Sequence, residues 1–218
     1  MSAGRRYVAI GPEAEFEPGS RGRVLRNLLG IQRVRDLQRL ESQALEIAQD
    51  EALGRFGPEH RFTARDICEL HSLWLDGIYA WAGQYRSVNV GKGGFQFAHA
   101  ALIDGLMSEL ERGALARCTP CLPAADTELA SALAEDHAEL ILIHPFREGN
   151  GRLARLLAVL MAMQAGLPAL DFRPMLGRGR DAYIGGIHAA LGRDYRPLAA
   201  VFVRVIAASR RRVAARAR

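Results

Sequence analysis

The sequence predicts a mostly α-helical protein that carries one small β-hairpin. Apolar residues recur at spacings of three and four over most of the 218 residues, which is the period of helices with one buried face. Only one segment alternates apolar and other residues as a strand does. With 49% apolar residues the chain can bury a core of ordinary size. No repeat or linker divides it, so we expect one domain over residues 1–218.

Seven apolar patterns predict the helices in chain order. The first comprises Val34, Leu37, Leu40, Ala44, Ile47 and Ala48, and the second, after the candidate N-cap Thr63, comprises Ile67, Leu70, Trp74, Ile78 and Trp81. The next three comprise Leu102, Leu106 and Leu110; Leu129, Leu133 and Leu140; and Leu153, Leu156, Leu157 and Leu160. The last two comprise Ile184, Ile187 and Leu191, and, after Pro197, Leu198, Val201, Phe202, Val205 and Ile206. We therefore expect a bundle of about seven to eight helices.

The segment SVNVGKGGFQF, residues 87–97, predicts the hairpin. Val88 and Val90 alternate before a glycine-rich tip, and Phe95 and Phe97 alternate after it. Because the tip GKGG lacks large side chains, a target segment could pair along the hairpin edge through backbone hydrogen bonds. A mobile surface loop is the alternative that the segment alone leaves open.

Composition argues against several classes of protein. No apolar run reaches the roughly 20 residues that span a bilayer, and the N-terminal segment lacks the apolar core of a signal peptide. Three cysteines are an odd count, which favours a reducing compartment over a disulfide framework. We therefore expect a cytoplasmic protein with no membrane partner, and export from the cell stays open. The Cys118-Thr-Pro-Cys121 spacing lacks a second pair of ligands, so we expect neither a zinc site nor redox chemistry there.

The net charge of +5 does not by itself indicate nucleic-acid binding. Part of the basic excess lies in the C-terminal segment 209–218, SRRRVAARAR, which contains no aromatic residue. A nucleic-acid-binding face would interleave aromatic and basic residues, so we interpret the segment as a solvated basic tail. We expect His137, which precedes the loop at residue 144, to be a surface or core-edge residue, and His71, beside Trp74, to be structural.

The stretch HPFREGNGRLAR, residues 144–155, concentrates the polar chemistry of the chain. Pro145 disfavours helical geometry at His144, so the preceding helix should end near Ile143 and the next should begin near Gly151. Unpaired N–H groups and the positive end of the helix dipole gather at such a start and form an anion site. Glycines at 149 and 151 let the backbone approach the anion closely.

The charged residues of this stretch point to a polyphosphate. Arg152 and Arg155, three positions apart, can each make forked hydrogen bonds to phosphate oxygens. Glu148 would be repelled by phosphate unless a divalent cation bridges them, which suggests Mg²⁺. His144 is the group of the loop that can accept a proton near neutral pH. The stretch therefore predicts a base, a metal ligand, a phosphate nest and two phosphate clamps.

The same stretch carries a family resemblance. HPFREGNGRLAR matches every defined position of the His-x-Phe-x-(Asp/Glu)-Gly-Asn-Gly-Arg-x-x-Arg signature of the Fic family, whose members transfer AMP from ATP to hydroxyl side chains of target proteins. Residues 78–97 resemble the segment that leads into the family's target-clamping hairpin, the flap. GRDYRPLAAVF and VLRNLLGI resemble its closing helix and the N-terminal entry of its bacterial filamentation-type members. The resemblance covers about residues 20–208 and implies a Fic-fold protein adenylyltransferase.

The resemblance also implies a role for each site residue. His144 would be the general base, Phe146 a buried anchor, Glu148 the Mg²⁺ ligand and Asn150 the α-phosphate contact, with the backbone at Gly149 and Gly151 forming the phosphate nest. Arg152 would stabilise the leaving pyrophosphate and Arg155 would hold the γ-phosphate of ATP. Lys92 and Gly93 would contact the nucleotide from the flap, and Tyr183 and Leu191 would contact adenine.

Two other functions remain open at this point. A relative with the same fold could transfer another phosphate-containing group, namely phosphate, phosphocholine or another nucleoside monophosphate. Family members that phosphorylate depart from the glycine-rich loop, and the intact Gly149-Asn150-Gly151-Arg152 disfavours that reading. A non-catalytic, basic nucleic-acid-binding protein ranks third, for the reason given above.

Regulation follows from the resemblance as well. Many family members carry an inhibitory Ser/Thr-x-x-x-Glu-Gly/Asn helix whose glutamate pairs with the second arginine of the signature. Ser42 and Glu46 match that motif in part, but Ile47 stands at its last position, and both polar residues fit the solvent face of the first helix. We therefore expect the inhibitor to be a separate small protein, an antitoxin, and this chain to be the toxin.

Overall fold

The computed structural model describes residues 13, 15–123 and 125–216, and it confirms the predicted fold class. These residues fall into two compact units. The first contains the described residues up to 55, residues 64–108 and residues 143–153. The second contains residues 56–63, residues 109–142 and the described residues from 154 onwards. No helix of the described residues has both the length and the apolar content needed to cross a membrane.

The helices and strands follow one another in the predicted order. They are α1 (Val34–Arg55), α2 (Ala64–Leu75), β1 (Gly91–Lys92), β2 (Phe95–Gln96), α3 (Ile103–Leu110), α4 (Ala116–Cys118), α5 (Asp126–Ile143), α6 (Asn150–Gln164), α7 (Arg180–Ala189) and α8 (Arg196–Arg216). A π-helical turn, Glu111–Leu115, joins α3 to α4. Short 3₁₀ turns occur at Ala100–Leu102, Arg173–Met175, Gly177–Gly179 and Ala190–Gly192.

The predicted hairpin is present, with a shorter ladder than the alternation suggested. Strands β1 and β2 pair antiparallel, with Gly91 opposite Gln96 and Lys92 opposite Phe95. The two residues of the turn, Gly93 and Gly94, have φ angles of +59° and +85°. Glycine adopts this left-handed backbone without strain, and it matches the twist of a two-residue hairpin turn.

Helix α1 is confirmed, and its buried face coincides with the predicted one in part. Its buried residues are Leu37, Glu41, Ala48 and Ala52. Ile47, which the apolar pattern placed inside, is 69% exposed. Glu41 lies at the same face as Leu37 and Ala48 because residues four and seven apart overlie each other on a helix. A carboxylate therefore occupies a core position of the first unit.

Helix α2 is shorter than its pattern predicted. It ends at Leu75, where the carbonyl accepts hydrogen bonds from the N–H groups of Ile78 and Tyr79 (2.9 and 2.8 Å) in a tight turn. Ile78 lies in this turn and is nevertheless buried. Its distance along the sequence from Trp74 is that of a residue on the same helix face, although it is not helical. The prediction that the helix continues to Trp81 was wrong for this reason.

Helices α3 and α7 show the same kind of shift. Ile103 and Met107 of α3 are buried, whereas Leu102, which the pattern chose, lies before the helix and is 58% exposed. Helix α7 ends at Ala189, and Leu191 lies in the following 3₁₀ turn with 61% of its surface exposed. The spacing of apolar residues predicts that a helix is present more reliably than it predicts the helix ends or the residues that are buried.

The core of the second unit is built mainly by α5, the later part of α6 and α8. Its buried residues include Leu129, Leu133, Leu156, Leu157, Leu198, Val201, Phe202 and Val205. Helix α8 continues to Arg216, so residues 209–216 of the basic segment are helical. Ser209 is buried, donates a hydrogen bond to the Val205 carbonyl and accepts one from the Asp171 N–H (both 2.8 Å).

Asp136 on α5 makes the stability of the protein depend on pH. Its carboxyl is buried, and burial, with the neighbouring Glu135 adding to the effect, raises its pKa from 3.8 to about 8. Between these two values the folded protein keeps a proton on Asp136 that the unfolded chain releases, so Asp136 contributes a fall in the free energy of unfolding of about 1.4 kcal/mol per pH unit. We expect the free energy of unfolding of Asp136→Asn, minus that of the natural protein, to rise by this slope between pH 5 and pH 7.5 in urea unfolding; the opposite contributions of the buried His71 and His137 are common to both proteins and cancel in the difference.

The exposed Asp50 of α1 provides the control for this prediction. Asp50→Asn should leave the slope as it is in the natural protein. An Asp136→Asn variant that keeps the full slope would show that Asp136 is already ionised in the folded state.

Candidate active site

The loop of residues 144–149 joins α5 to α6, as predicted. Helix α5 ends at Ile143, and α6 begins at Asn150, one residue before the expected start. His144 has a φ of +53°, a left-handed conformation that is uncommon for any residue other than glycine. This conformation turns the chain out of α5 immediately before Pro145. Strained backbone of this kind is often found at functional sites.

Arg86 connects this loop to the hairpin. The side chain is buried, and its Nε donates to the His144 carbonyl (2.7 Å) while its backbone N–H donates to the Pro145 carbonyl (2.9 Å). Its other guanidinium nitrogens donate to the carbonyls of Val88 and Ala98, both at 2.6 Å, on the two sides of the hairpin. Arginine can hold so many acceptors because its planar group has five N–H donors. Burial lowers the pKa of Arg86 to about 10.

Phe97, two positions beyond the start of β2, covers the imidazole of His144. The two rings stack with their centroids 3.7 Å apart and an angle of 13° between their planes. His144 is consequently 6% exposed. The position of the candidate base therefore depends on the hairpin twice, through this stacking and through Arg86.

Asn150 and Phe146 close the middle of the loop. The Asn150 side chain donates to the Phe146 carbonyl (2.8 Å) and accepts from the Phe146 N–H (2.9 Å). The Phe146 ring is fully buried, as an anchor should be, and stacks on His71 at 3.9 Å. Both polar atoms of the Asn150 side chain thus hold the loop. Its implied contact with the α-phosphate stays a prediction.

His71 is structural, in agreement with the sequence analysis, and it supports the loop. Its Nδ1 accepts from the Gly83 N–H (2.8 Å), so the Nε2 carries the proton and donates to the Glu148 carbonyl (3.1 Å). Burial lowers the pKa of His71 to about 4, which keeps the ring neutral. His71 therefore fixes the backbone at Glu148 without adding charge to the site.

The nest predicted at the start of α6 has the expected backbone. Gly149 has a φ of +87°, and its carbonyl accepts the first helical hydrogen bond, from the Arg152 N–H (2.9 Å). Its own N–H donates to Glu148 Oε1 (3.0 Å). In the described part of the chain, the N–H groups of Asn150 and Gly151 have no protein acceptor. They lie at the positive end of the α6 dipole, where an anion binds favourably.

Arg152, in the first turn of α6, is held from two sides. Its Nη1 lies 2.9 Å from Oε2 of Glu41, and its Nη2 lies 3.7 Å from Oε1 of Glu148. Its guanidinium stacks over the indole of Trp74, 4.5 Å from the ring centroid. Glu41 was not among the predicted site residues, and Trp74 was predicted only as a member of a helical pattern. The signal that could have found Glu41 is a carboxylate on the apolar stripe of α1.

Four of the residues with implied nucleotide contacts lie outside the loop. Lys92 and Gly93 are exposed at the hairpin tip. In the second unit, the Tyr183 hydroxyl lies 3.0 Å from Nε2 of His137, and Leu191 is exposed. The roles of all four stay predictions.

Arg155 lies three residues after Arg152 in α6 and belongs to the second unit. Within that unit its charge adds to burial in lowering the pKa of His137 to about 3. His137 is fully buried, so the prediction of a surface or core-edge position was wrong. The first unit thus brings together His144, Glu148, the nest and Arg152.

A helical protein in which a hairpin contacts a loop carrying a histidine, a carboxylate and an anion nest belongs to the Fic-fold class. The Fic/DOC family profile matches residues 61–162. The chain is a member of the Fic/DOC family. Sequence similarity extends beyond the profile, as the following relatives show.

Two curated relatives and one solved structure illustrate the similarity. "Protein adenylyltransferase VbhT" of Bartonella schoenbuchensis is 33% identical over 66% of this chain, which spans 30% of that relative's length. "Probable protein adenylyltransferase Fic" of Salmonella typhimurium is 32% identical over 66% of this chain and 70% of that protein. BepC of Bartonella tribocorum, an effector crystallised with bound AMPPNP, aligns with a TM-score of 0.68 and 20% identity over 87% of this chain and 94% of that one. The last likeness shows the fold.

Proposed function

We propose that this protein transfers AMP from ATP to a hydroxyl side chain of a target protein. The observation that carries the proposal is the loop between α5 and α6, where a braced histidine precedes an anion nest at a helix start. The family membership supports it, because curated relatives are named protein adenylyltransferases. The AMPPNP bound to BepC supports ATP as the substrate.

In this reaction His144 takes the proton of the target hydroxyl as its oxygen attacks the α-phosphorus. The bond between the α-phosphorus and the bridging oxygen to the β-phosphate breaks, and pyrophosphate leaves with the electron pair. The N–H groups of Asn150 and Gly151 and the guanidinium of Arg152 meet the charge that grows on the phosphates, and Arg155 holds the γ-phosphate. Groups fixed before the reaction give the largest stabilisation, and Arg86 supplies that fixation for His144.

The donor set fits a Mg²⁺ ion that arrives with the nucleotide. The described residues contain no group of three His, Cys, Asp or Glu side chains able to hold a metal. Mg²⁺ needs no such group when phosphates and water supply most of its ligands, and one carboxylate then suffices. Glu148 is that carboxylate, partly exposed beside the nest. When bound, the ion would offset phosphate charge.

The flap hairpin, residues 87–97, would bind the target. Among the described residues the sheet has two strands, so each strand has an outer edge that no further strand of the sheet covers. Lys92, Gly93, Gly94 and Gln96 are exposed, which leaves the tip open to an added strand. A strand bound there would bring its hydroxyl towards His144, because Phe97 of the same hairpin stacks on that ring.

We also propose that the protein acts in the bacterial cytoplasm as a toxin that a separate small antitoxin restrains. The antitoxin would insert a glutamate against Arg155 and compete with the γ-phosphate for the same forked hydrogen bonds. Glu46 of the partial internal motif is exposed, which supports an inhibitor outside this chain.

Radiolabelled ATP tests the proposal. We expect label on the target protein from α-labelled ATP and none from γ-labelled ATP, because the nest and both arginines seat the β- and γ-phosphates. Transfer of the γ-label would instead make the protein a kinase. The same assay on the chain purified alone tests the antitoxin: strong transfer that a partner suppresses supports it, whereas a silent chain that Glu46→Gly activates contradicts it.

A further inference from the structure

Glu41 is a buried carboxylate that reaches the candidate site from α1, outside the family signature. It is 4% exposed and shares the buried face of α1 with Leu37 and Ala48. An ionised carboxylate in such a position is unfavourable unless charged or hydrogen-bonding partners compensate for the lost water. Its contacts therefore indicate what it does.

Every acceptor of Glu41 has a partner close to the nest. Its Oε2 lies 2.9 Å from Arg152 Nη1, and its Oε1 accepts a hydrogen bond from the Tyr79 hydroxyl at 2.6 Å. Its backbone carbonyl accepts from the indole N–H of Trp74 at 2.8 Å. Tyr79 fixes the rotation of the carboxylate, and the carbonyl fixes the ring on which Arg152 stacks.

One edge of the Arg152 guanidinium thus contacts Glu41, and one face of it stacks on Trp74. Its side chain keeps 26% of its surface exposed, and its remaining N–H donors are able to meet phosphate oxygens. A flexible arginine would lose rotamer entropy whenever it engaged a phosphate, whereas this one is ordered in advance. Trp74 also lies against Gly149, where an added Cβ would come within 2.7 Å of its ring. Trp74 therefore contacts both the nest and the arginine.

We propose that Glu41, together with Tyr79 and Trp74, is a positioning residue that sets the orientation of Arg152 for the departing pyrophosphate. This inference rests on the proposed AMP transfer. Alternatively, the ion pair with Glu41 could inhibit the enzyme by keeping the Arg152 guanidinium away from the nucleotide. The two differ in sign, because loss of a positioning residue slows the reaction and loss of a restraint accelerates it.

A double-mutant cycle between Glu41→Gln and Arg152→Met tests the proposal. Glutamine keeps the shape and can still accept from Tyr79, but it removes the charge facing Arg152. We expect Glu41→Gln to lower kcat by about tenfold and to change the KM for ATP by less than about threefold, since the interaction matters most as charge develops on pyrophosphate. In the Arg152→Met background, Glu41→Gln should have no further effect, because Glu41 acts through that arginine.

Two more variants accompany the cycle. Tyr79→Phe removes only the hydroxyl that orients Glu41, so it should lower kcat in the same direction and by less. Glu46→Gln, one turn further along α1 and exposed, should leave kcat as it is. Urea unfolding of each variant separates a catalytic effect from a loss of fold.

The outcomes separate this inference from the proposed function. The inference would be overturned if the losses of kcat in Glu41→Gln and Arg152→Met multiply in the double variant. It would also be overturned if Glu41→Gln makes the enzyme faster. Neither result would contradict AMP transfer. Absence of any transfer by the natural protein would overturn the proposed function instead. The cycle is then measured on AMPPNP affinity by calorimetry, where equal affinities of Arg152→Met and the double variant support the coupling and multiplied losses overturn it.

Discussion

Replacing His144 by alanine should lower AMP transfer by about 10²- to 10⁴-fold while ATP binding persists, because a general base contributes roughly that factor. In the proposed mechanism the imidazole accepts the proton, whereas the nest and the two arginines bind the phosphates. The backbone brace of Arg86 on residue 144 acts on its carbonyl and survives the substitution. Histidine adopts left-handed angles more often than most residues other than glycine, so alanine at the φ of +53° should lower the free energy of unfolding by no more than about 1 kcal/mol.

The measurement pairs initial rates of label transfer with calorimetric ATP binding and urea unfolding. His188→Ala removes an exposed histidine of α7 and should leave the transfer rate and ATP binding unchanged. A His144→Ala protein that folds and transfers AMP at near-natural rates would contradict the mechanism. A variant that loses ATP binding as well would show that His144 supports the nucleotide rather than the hydroxyl.

The loop was predictable from sequence because its determinants are local. Pro145 ends α5, and Gly149 begins α6 through its own backbone, so both boundaries follow from neighbouring residues. The two-glycine turn of the hairpin is local in the same way. The ends and buried faces of the helices were less predictable, because a turn such as the one after Leu75 can bury apolar residues at the same sequence spacing as a helix.

The residues that support the loop were not predictable, because their partners lie far along the chain. Arg86 and the His144 carbonyl are 58 positions apart, and His71 and the Glu148 carbonyl are 77 apart. Each looks like an ordinary residue in its own segment. A buried arginine among carbonyls and a carboxylate on an apolar stripe acquire meaning only once the fold brings their partners close.

The second prediction with a large expected effect concerns the substitution of Gly149. We expect Gly149→Ala to lower the free energy of unfolding by about 2–5 kcal/mol and to abolish detectable ATP binding. Its φ of +87° strains any other residue, and a Cβ there would lie 2.7 Å from Cζ3 of Trp74. Trp74 has little room to retreat, since Glu41 holds its indole N–H and Arg152 stacks on its face. The substitution should therefore displace the nest and the arginine together.

Gly166 provides a matched control for the part of the stability loss that comes from backbone strain. Its φ is +74°, but an added Cβ would meet no atom within 4 Å, so Gly166→Ala should show the strain alone, about 1–2 kcal/mol, with ATP binding intact. Equal losses of stability at both positions would show that Trp74 yields to the methyl group. Retained ATP binding in a folded Gly149→Ala protein would contradict the nest as the phosphate site. A loss of ATP binding confined to Gly149→Ala would support the nest as the phosphate site, because Gly166→Ala places a comparable backbone strain outside the nest.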